Sequence, residues 1–154
     1  MRWTFHNPVE VTFGEDALDR LPAVLGARTA ALVTFPEASA LGYVDRVSRL
    51  LGSALAGVDD AIAPNPDVAE LSQRHARFWR ECGRCDAIVA LGGGSVLDTA
   101  KVLSVDAPSG GFPELARLLA KGTAFVPGNS KALIAIPTTA GTGSEVTPWA
   151  TVWD

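Results

Sequence analysis

Apolar positions along this chain fall into short blocks of two kinds. Thr29–Thr34, Ala87–Leu91 and Ala132–Ile136 are nearly continuous apolar runs, as expected of strands covered on both faces. Ser39–Leu51 instead places Leu41, Val44, Val47 and Leu51 three to four positions apart, with Asp45, Arg46 and Arg49 opposite, which predicts an amphipathic helix. Glu15–Leu25 predicts another, carrying Ala17, Leu18, Leu21 and Leu25 on one face and Pro22 awkwardly inside it. A weaker strand is expected at Leu55–Val58. Ala63-Pro64-Asn65-Pro66-Asp67 reads as a stiff turn whose Asp67 can cap a helix from Val68 to about Cys82. Further helices are expected at Ser95–Ser104 and Pro113–Leu119. Trp3–His6 and Glu10–Phe13, divided by Asn7-Pro8 and closed by Gly14, read as an opening hairpin, and Ala150–Trp153 as the start of one more strand.

Strands alternating with helices at this spacing predict an α/β fold, a Rossmann-like parallel sheet flanked by helices with a short N-terminal β hairpin. A length of 154 residues, 47% hydrophobic, suits one domain with a real core. The apolar runs fall far short of the ~18 residues a membrane span needs. The first residues lack the apolar stretch and cleavage site of a secretory signal, so the expected location is cytoplasmic. Thirteen Lys and Arg against 17 Asp and Glu, without a basic stripe, argue against nucleic acid or an anionic membrane as partner. Cys82 and Cys85 form a lone C-x-x-C that follows a helix rather than opening one. With no second Cys pair to complete a zinc site, the pair reads as structural. His6 and His75 stand far apart in polar contexts, His75 between Arg74 and Arg77 on an expected surface helix. No nucleophile–base pair and no metal-ligand spacing is visible.

The chemistry gathers at two places. In Asp86–Lys101 an apolar strand runs into Gly92-Gly93-Gly94-Ser95 and then a helix, so backbone N–H groups at the helix start are unobstructed by side chains. This is a pyrophosphate cradle, or else a plain glycine turn. Ser95 can add a hydroxyl donor, and the helix dipole favours an anion by up to ~1 kcal/mol. The pattern departs from G-x-G-x-x-G. Asp98, one turn into the helix, can accept bonds from loop amides and has no partner for acid–base work. The second place is Pro137–Thr147, directly after the Ala132–Ile136 run, where hydroxyls and glycines crowd together. Loops at the carboxyl ends of parallel strands line the ligand crevice, so the two loops could hold one diphosphate between them. For Thr138, Thr139 and Thr142 taken alone, ordinary turn capping remains open. From the residues themselves, this is a domain that binds a dinucleotide or another phosphate, without catalytic machinery of its own.

At these loops the chain resembles the iron-containing (group III) alcohol dehydrogenase family. The likeness lies in Gly92-Gly93-Gly94-Ser95-x-x-Asp98-x-Ala100-Lys101 and in Pro137–Thr147, supported by Pro8-x-x-Val11-x-Phe13-Gly14 and Asn65-Pro66. The resemblance implies that residues 1–154 are the NAD(P)-binding α/β domain of a longer two-domain enzyme. The missing partner would be a C-terminal all-helical domain carrying a divalent metal, Fe or Zn. It also implies cofactor contacts at Gly93, Gly94, Ser95, Asp98, Thr138, Thr139, Thr142, Thr147 and Asn65, and neither catalytic nor metal residues in this chain. The implied reaction passes hydride between nicotinamide and a small aldehyde or alcohol, with the metal as Lewis acid. A homodimer is compatible with that reading. Leu32–Ala38 and Thr147–Asp154 look most like members that reduce phosphonoacetaldehyde to 2-hydroxyethylphosphonate. Phe35-Pro36-Glu37 follows the Ala31–Thr34 run where NAD-preferring members place an Asp, so NADP as well as NAD is expected. The rival reading is a stand-alone nucleotide-binding module without activity.

Overall fold

The computed structural model describes residues 2–4, 6–108, 111–122 and 124–154. Four strands, β1 (Ala30–Thr34), β2 (Leu55–Asp59), β3 (Ala87–Gly92) and β4 (Ala132–Pro137), form one sheet in the order β2-β1-β3-β4. Every pairing is parallel. All four carboxyl ends therefore lie along one edge, with Thr34 beside Leu91 and Gly92 beside Pro137. The strand order reverses between β1 and β3. In open α/β sheets that reversal opens a crevice outside the strand ends.

Alternation along β1 and β3 sends side chains to two cores. Ala30, Leu32, Ala87, Val89 and Leu91 meet Leu21 and Leu25 of α1 (Leu21–Leu25) and Val47 and Leu51 of α2 (Tyr43–Leu51). Ala31, Val33, Ile88 and Ala90 meet Phe78 of α3 (Val68–Cys82) and Leu97, Ala100 and Leu103 of α4 (Gly94–Leu103). A third cluster packs Leu115 and Phe112 of α5 (Phe112–Ala120) on Leu71 and Val102. Asp67 caps α3 as its side chain foretold, accepting from the amides of Ala69 at 2.8 Å and Glu70 at 3.1 Å. At the end of β2, Asp59 pairs with Arg74 and with Arg77 of α3. Burial of Arg74 favours its neutral form, but the hydrogen bonds and charges of Asp59 and Glu70 outweigh it and hold the guanidinium above its ordinary value.

Several expectations need correction. No strand forms at the N-terminus among the described residues. The segment has no sheet partner to bury its apolar side chains, and a lone hairpin is marginal in water. Phe13 is 98% exposed, and Asn7 Oδ1 takes the amide of Val9 in a local turn; Phe5, part of that expected strand, lies outside the described residues. The Glu15–Leu25 helix is split into a 3-10 turn, Ala17–Arg20, and α1, which places Pro22 in the first turn where a missing N–H costs nothing. α2 begins at Tyr43 because Gly42 takes a left-handed conformation, φ 77°. Ala150–Trp153 makes one bridge, Trp153 to Asp67, and is anchored to the start of α3 instead of joining the sheet.

His75 is not on a surface face. It is 3% exposed, its Nε2 lies 2.9 Å from the Val105 carbonyl, and its ring packs on Trp79 and Phe112. The two cysteines are free and sit at the turn between α3 and β3, where Cys85 Sγ donates to the Cys82 carbonyl at 2.7 Å. Burial, followed by the neighbouring Cys85, pushes the Cys82 thiol up to about 11. Only about a thousandth of such a thiol is ionised at pH 8, and the thiolate is the nucleophile. Alkylation of Cys82 by iodoacetamide in the native protein is therefore expected to be far slower than in urea-unfolded protein. It should rise about tenfold per pH unit between pH 8 and 10. Rapid labelling of the folded protein at pH 8, read by peptide mass spectrometry, would contradict this.

Candidate functional site

The glycine turn follows β3 at the strand reversal. Gly93 caps α4 with extended backbone, and no side chain caps the helix. Val96 and Leu97 donate to the Gly93 carbonyl at 3.0 and 3.1 Å. The amides of Gly94 and Ser95, ahead of them in the first turn, face out along the helix axis as helix geometry requires. A helix start of this kind favours an anion through its exposed N–H groups and its dipole.

The loop after β4 lies directly on this turn. The Thr138 amide donates to the Gly92 carbonyl at 3.0 Å, stapling one loop to the other. A β-carbon at Gly93 would come within 3.2 Å of the Thr139 hydroxyl, and one at Gly94 within 3.0 Å of the Thr142 methyl. A side chain at either position would press on the threonines of the second loop, which would have to give by a few tenths of an ångström. Gly92 is tighter still, since a β-carbon there would meet the Val96 side chain at 2.5 Å.

Two hydroxyls at the turn have their acceptor side already filled. Ser95 Oγ accepts the Asn65 amide at 3.0 Å, and Thr142 Oγ1 accepts the Ser144 amide at 3.3 Å. Each is left with its own hydrogen to donate. Asn65 reaches Ser95 from the Pro64-Asn65-Pro66 turn by adopting φ 58°, a left-handed conformation that Asn tolerates better than most residues. The structure therefore brings Gly93, Gly94, Ser95, Asn65, Thr139 and Thr142 together, with Thr138 as the staple. Thr147 stands apart from the turn, exposed and 3.4 Å from Lys101 Nζ. Asp98 bonds within the protein: Oδ1 accepts from Ser144 Oγ at 2.6 Å and Oδ2 from the Thr151 amide at 3.1 Å. Sequence reasoning assigned no role to Lys101 or Ser144. The available signal was a pair of opposite charges three positions apart on a helix that is otherwise largely apolar.

Beyond β1, Phe35 is half-buried and meets Tyr43 edge-on, with ring centroids 6.4 Å apart. Glu37, after β1, and Asp60, after β2, are exposed, and Ser39 Oγ donates to Asp60 at 3.4 Å. Among the described residues, no three His, Cys, Asp or Glu side chains converge on a point that could hold a metal ion. With His75 Nε2 committed to a backbone carbonyl, these residues do not fit an iron site.

A glycine turn at the reversal of a parallel, doubly covered sheet defines an open α/β domain of the ligand-binding kind. The family model for iron-containing alcohol dehydrogenase matches residues 8–154, and the chain belongs to that family. It is 36% identical to choline dehydrogenase of Bacillus subtilis, over 98% of this chain and 38% of that protein. It is also 36% identical to phosphonoacetaldehyde reductase of Streptomyces viridochromogenes, over 83% of this chain and 36% of that protein. The structure of sulfoacetaldehyde reductase from Bifidobacterium kashiwanohense in complex with NAD+ superposes with a TM-score of 0.78 at 30% identity, covering 96% of this chain and 39% of that one. The chain thus spans less than two-fifths of each of these relatives. The parallel α/β architecture expected from the sequence is the one observed.

Proposed function

We propose that residues 1–154 form the NAD(P)-binding unit of an oxidoreductase that moves hydride between nicotinamide and a small aldehyde or alcohol. The observation that carries this is the seating of Thr139 and Thr142 over Gly93 and Gly94. Two unobstructed amides and two pre-set hydroxyls face the same turn, which suits a diphosphate with several acceptor oxygens. In this reading Gly93, Gly94, Ser95, Thr139 and Thr142 hold the pyrophosphate. Asn65 fixes Ser95, Thr138 fixes the second loop, and Thr147 and Asp98 lie behind it. The nicotinamide would supply the hydride when bound. These residues bind and orient; no acid–base pair among them takes part in the chemistry.

Phe35 takes the place after β1 where a carboxylate would bond the adenosine ribose and repel a 2′-phosphate. NADPH is therefore expected to bind within about tenfold of NADH, a difference of about 1.4 kcal/mol. Titration of each reduced cofactor, followed by energy transfer from tryptophan to nicotinamide, checks both points. Failure of both to bind would remove the dinucleotide reading. A hundredfold NADH advantage would remove only the tolerance of NADPH.

Two of the relatives named above reduce an acetaldehyde bearing a phosphonate or a sulfonate, by their names. That supports phosphonoacetaldehyde as the substrate of the whole enzyme. Turnover of propanal as fast as phosphonoacetaldehyde would count against it.

A further inference from the structure

We infer that Asp98 and Lys101 are positioning residues: a largely buried ion pair on α4 that holds the second loop in register over the glycine turn. The functional part of this inference rests on the dinucleotide reading above.

The pair is 3.2 Å apart and its side chains are only 13% and 12% exposed. Among the described residues, every side-chain hydrogen bond that either residue makes beyond the pair reaches the segment 144–151. Asp98 takes the hydroxyl of Ser144 and the amide of Thr151. Lys101 Nζ donates to Ser144 Oγ at 2.7 Å, to Thr147 Oγ1 at 3.4 Å and to the Trp149 carbonyl. Ser144 is the junction, since its hydroxyl accepts from Lys101 and donates to Asp98 while its amide donates to Thr142 Oγ1. The bonds therefore run without a gap from the ion pair through Ser144 to the threonine seated over Gly94.

The surroundings of the pair make this role specific. The rest of α4 buries Val96, Leu97, Thr99, Ala100, Val102 and Leu103. A charge pair in such a place contributes little net stability, because desolvation cancels most of the attraction, and its best-attested use is to fix register. The loop it holds has no ladder of its own: two of its glycines, Gly141 and Gly143, have φ 130° and 64°, and only the 3-10 turn Ser144–Val146 is regular. Among the described residues, the other hydrogen bonds that hold residues 138–147 to the rest of the protein are the Thr138 staple and the bond from Asn7 Nδ2 to the Val146 carbonyl at 3.1 Å, which lies beyond Thr139 and Thr142.

The test separates registry from stability. Replacing both partners by apolar residues of similar size, Asp98→Leu with Lys101→Met, removes the clamp while leaving no orphan charge. The melting temperature should be retained or raised. Amide exchange across 139–147 should accelerate at least tenfold while that of β3 is unchanged, and the dissociation constant for NADH should rise at least tenfold. Ser144→Ala should reproduce the local exchange effect without touching the charges, and Ser144→Thr should restore slow exchange. Unchanged exchange of the loop in both the double variant and Ser144→Ala would overturn the inference, as would wild-type NADH affinity in the double variant. If the double variant does not fold, Ser144→Ala alone decides. Should the unaltered protein bind neither dinucleotide, the functional reading fails, while the exchange comparison still decides whether the pair holds the loop.

Discussion

Gly94→Val is expected to weaken NADH binding by at least about a hundredfold while leaving the fold intact. The β-carbon alone would stand 3.0 Å from the Thr142 methyl, and the two further methyls of valine would add bulk at the same turn. A phosphate could then no longer approach the amides of Gly94 and Ser95. Hydrogen bonds to charged groups are worth roughly 1.5–3 kcal/mol each, so losing one or two of them accounts for a change of this size. Gly94 lies in the first turn of α4 without a left-handed φ, so the backbone does not oppose the substitution. Circular dichroism and the melting temperature should stay near wild type. Titration of NADH into the folded variant is the measurement, and an unchanged dissociation constant would remove the glycine turn as the phosphate site.

The largest effect on stability is expected at His75. Truncation to alanine removes a ring packed against Trp79 and Phe112, and it deprives the Val105 carbonyl of its 2.9 Å partner. A cavity of that kind together with a lost buried hydrogen bond costs about 3 kcal/mol. For a domain of this length that corresponds to a fall in melting temperature of roughly 10 °C. Urea unfolding followed by circular dichroism gives the value. A loss below 1 kcal/mol would mean that α5 repacks to close the gap. Because His75 lies beneath α5, far along α3 from the glycine turn, its effect should fall on stability and not on cofactor affinity per folded molecule.

His75 also shows where reading from sequence loses information. Flanking arginines made a surface face plausible, yet residue 75 belongs to the same stripe as Leu71 and Phe78, four before it and three after. The spacing was present, but imidazole does not announce itself as apolar, and only the Val105 carbonyl brought by tertiary packing satisfies it. The α3 boundaries were legible because Asp67 is a strong local cap, and β1, β3 and β4 because burial on both faces leaves continuous apolar runs. The N-terminal hairpin was overread, since alternation at Val9, Val11 and Phe13 states a preference for pairing without supplying a partner. At the site, the residues of each loop were legible. Their coupling was not: nothing in a one-dimensional pattern links Asp98 and Lys101 to a serine more than forty positions away.

The left-handed turn at Asn65 carries a consequence for how this protein could evolve. Because the contact to Ser95 comes from the backbone amide, residue 65 is constrained by conformation instead of by side-chain chemistry. Glycine, which adopts φ near 58° without penalty, could replace asparagine and still present the same N–H. A β-branched residue would pull the turn away and let the serine hydroxyl rotate. Variation at this position among functional descendants should therefore track backbone permissiveness, with glycine and aspartate tolerated and valine or isoleucine excluded.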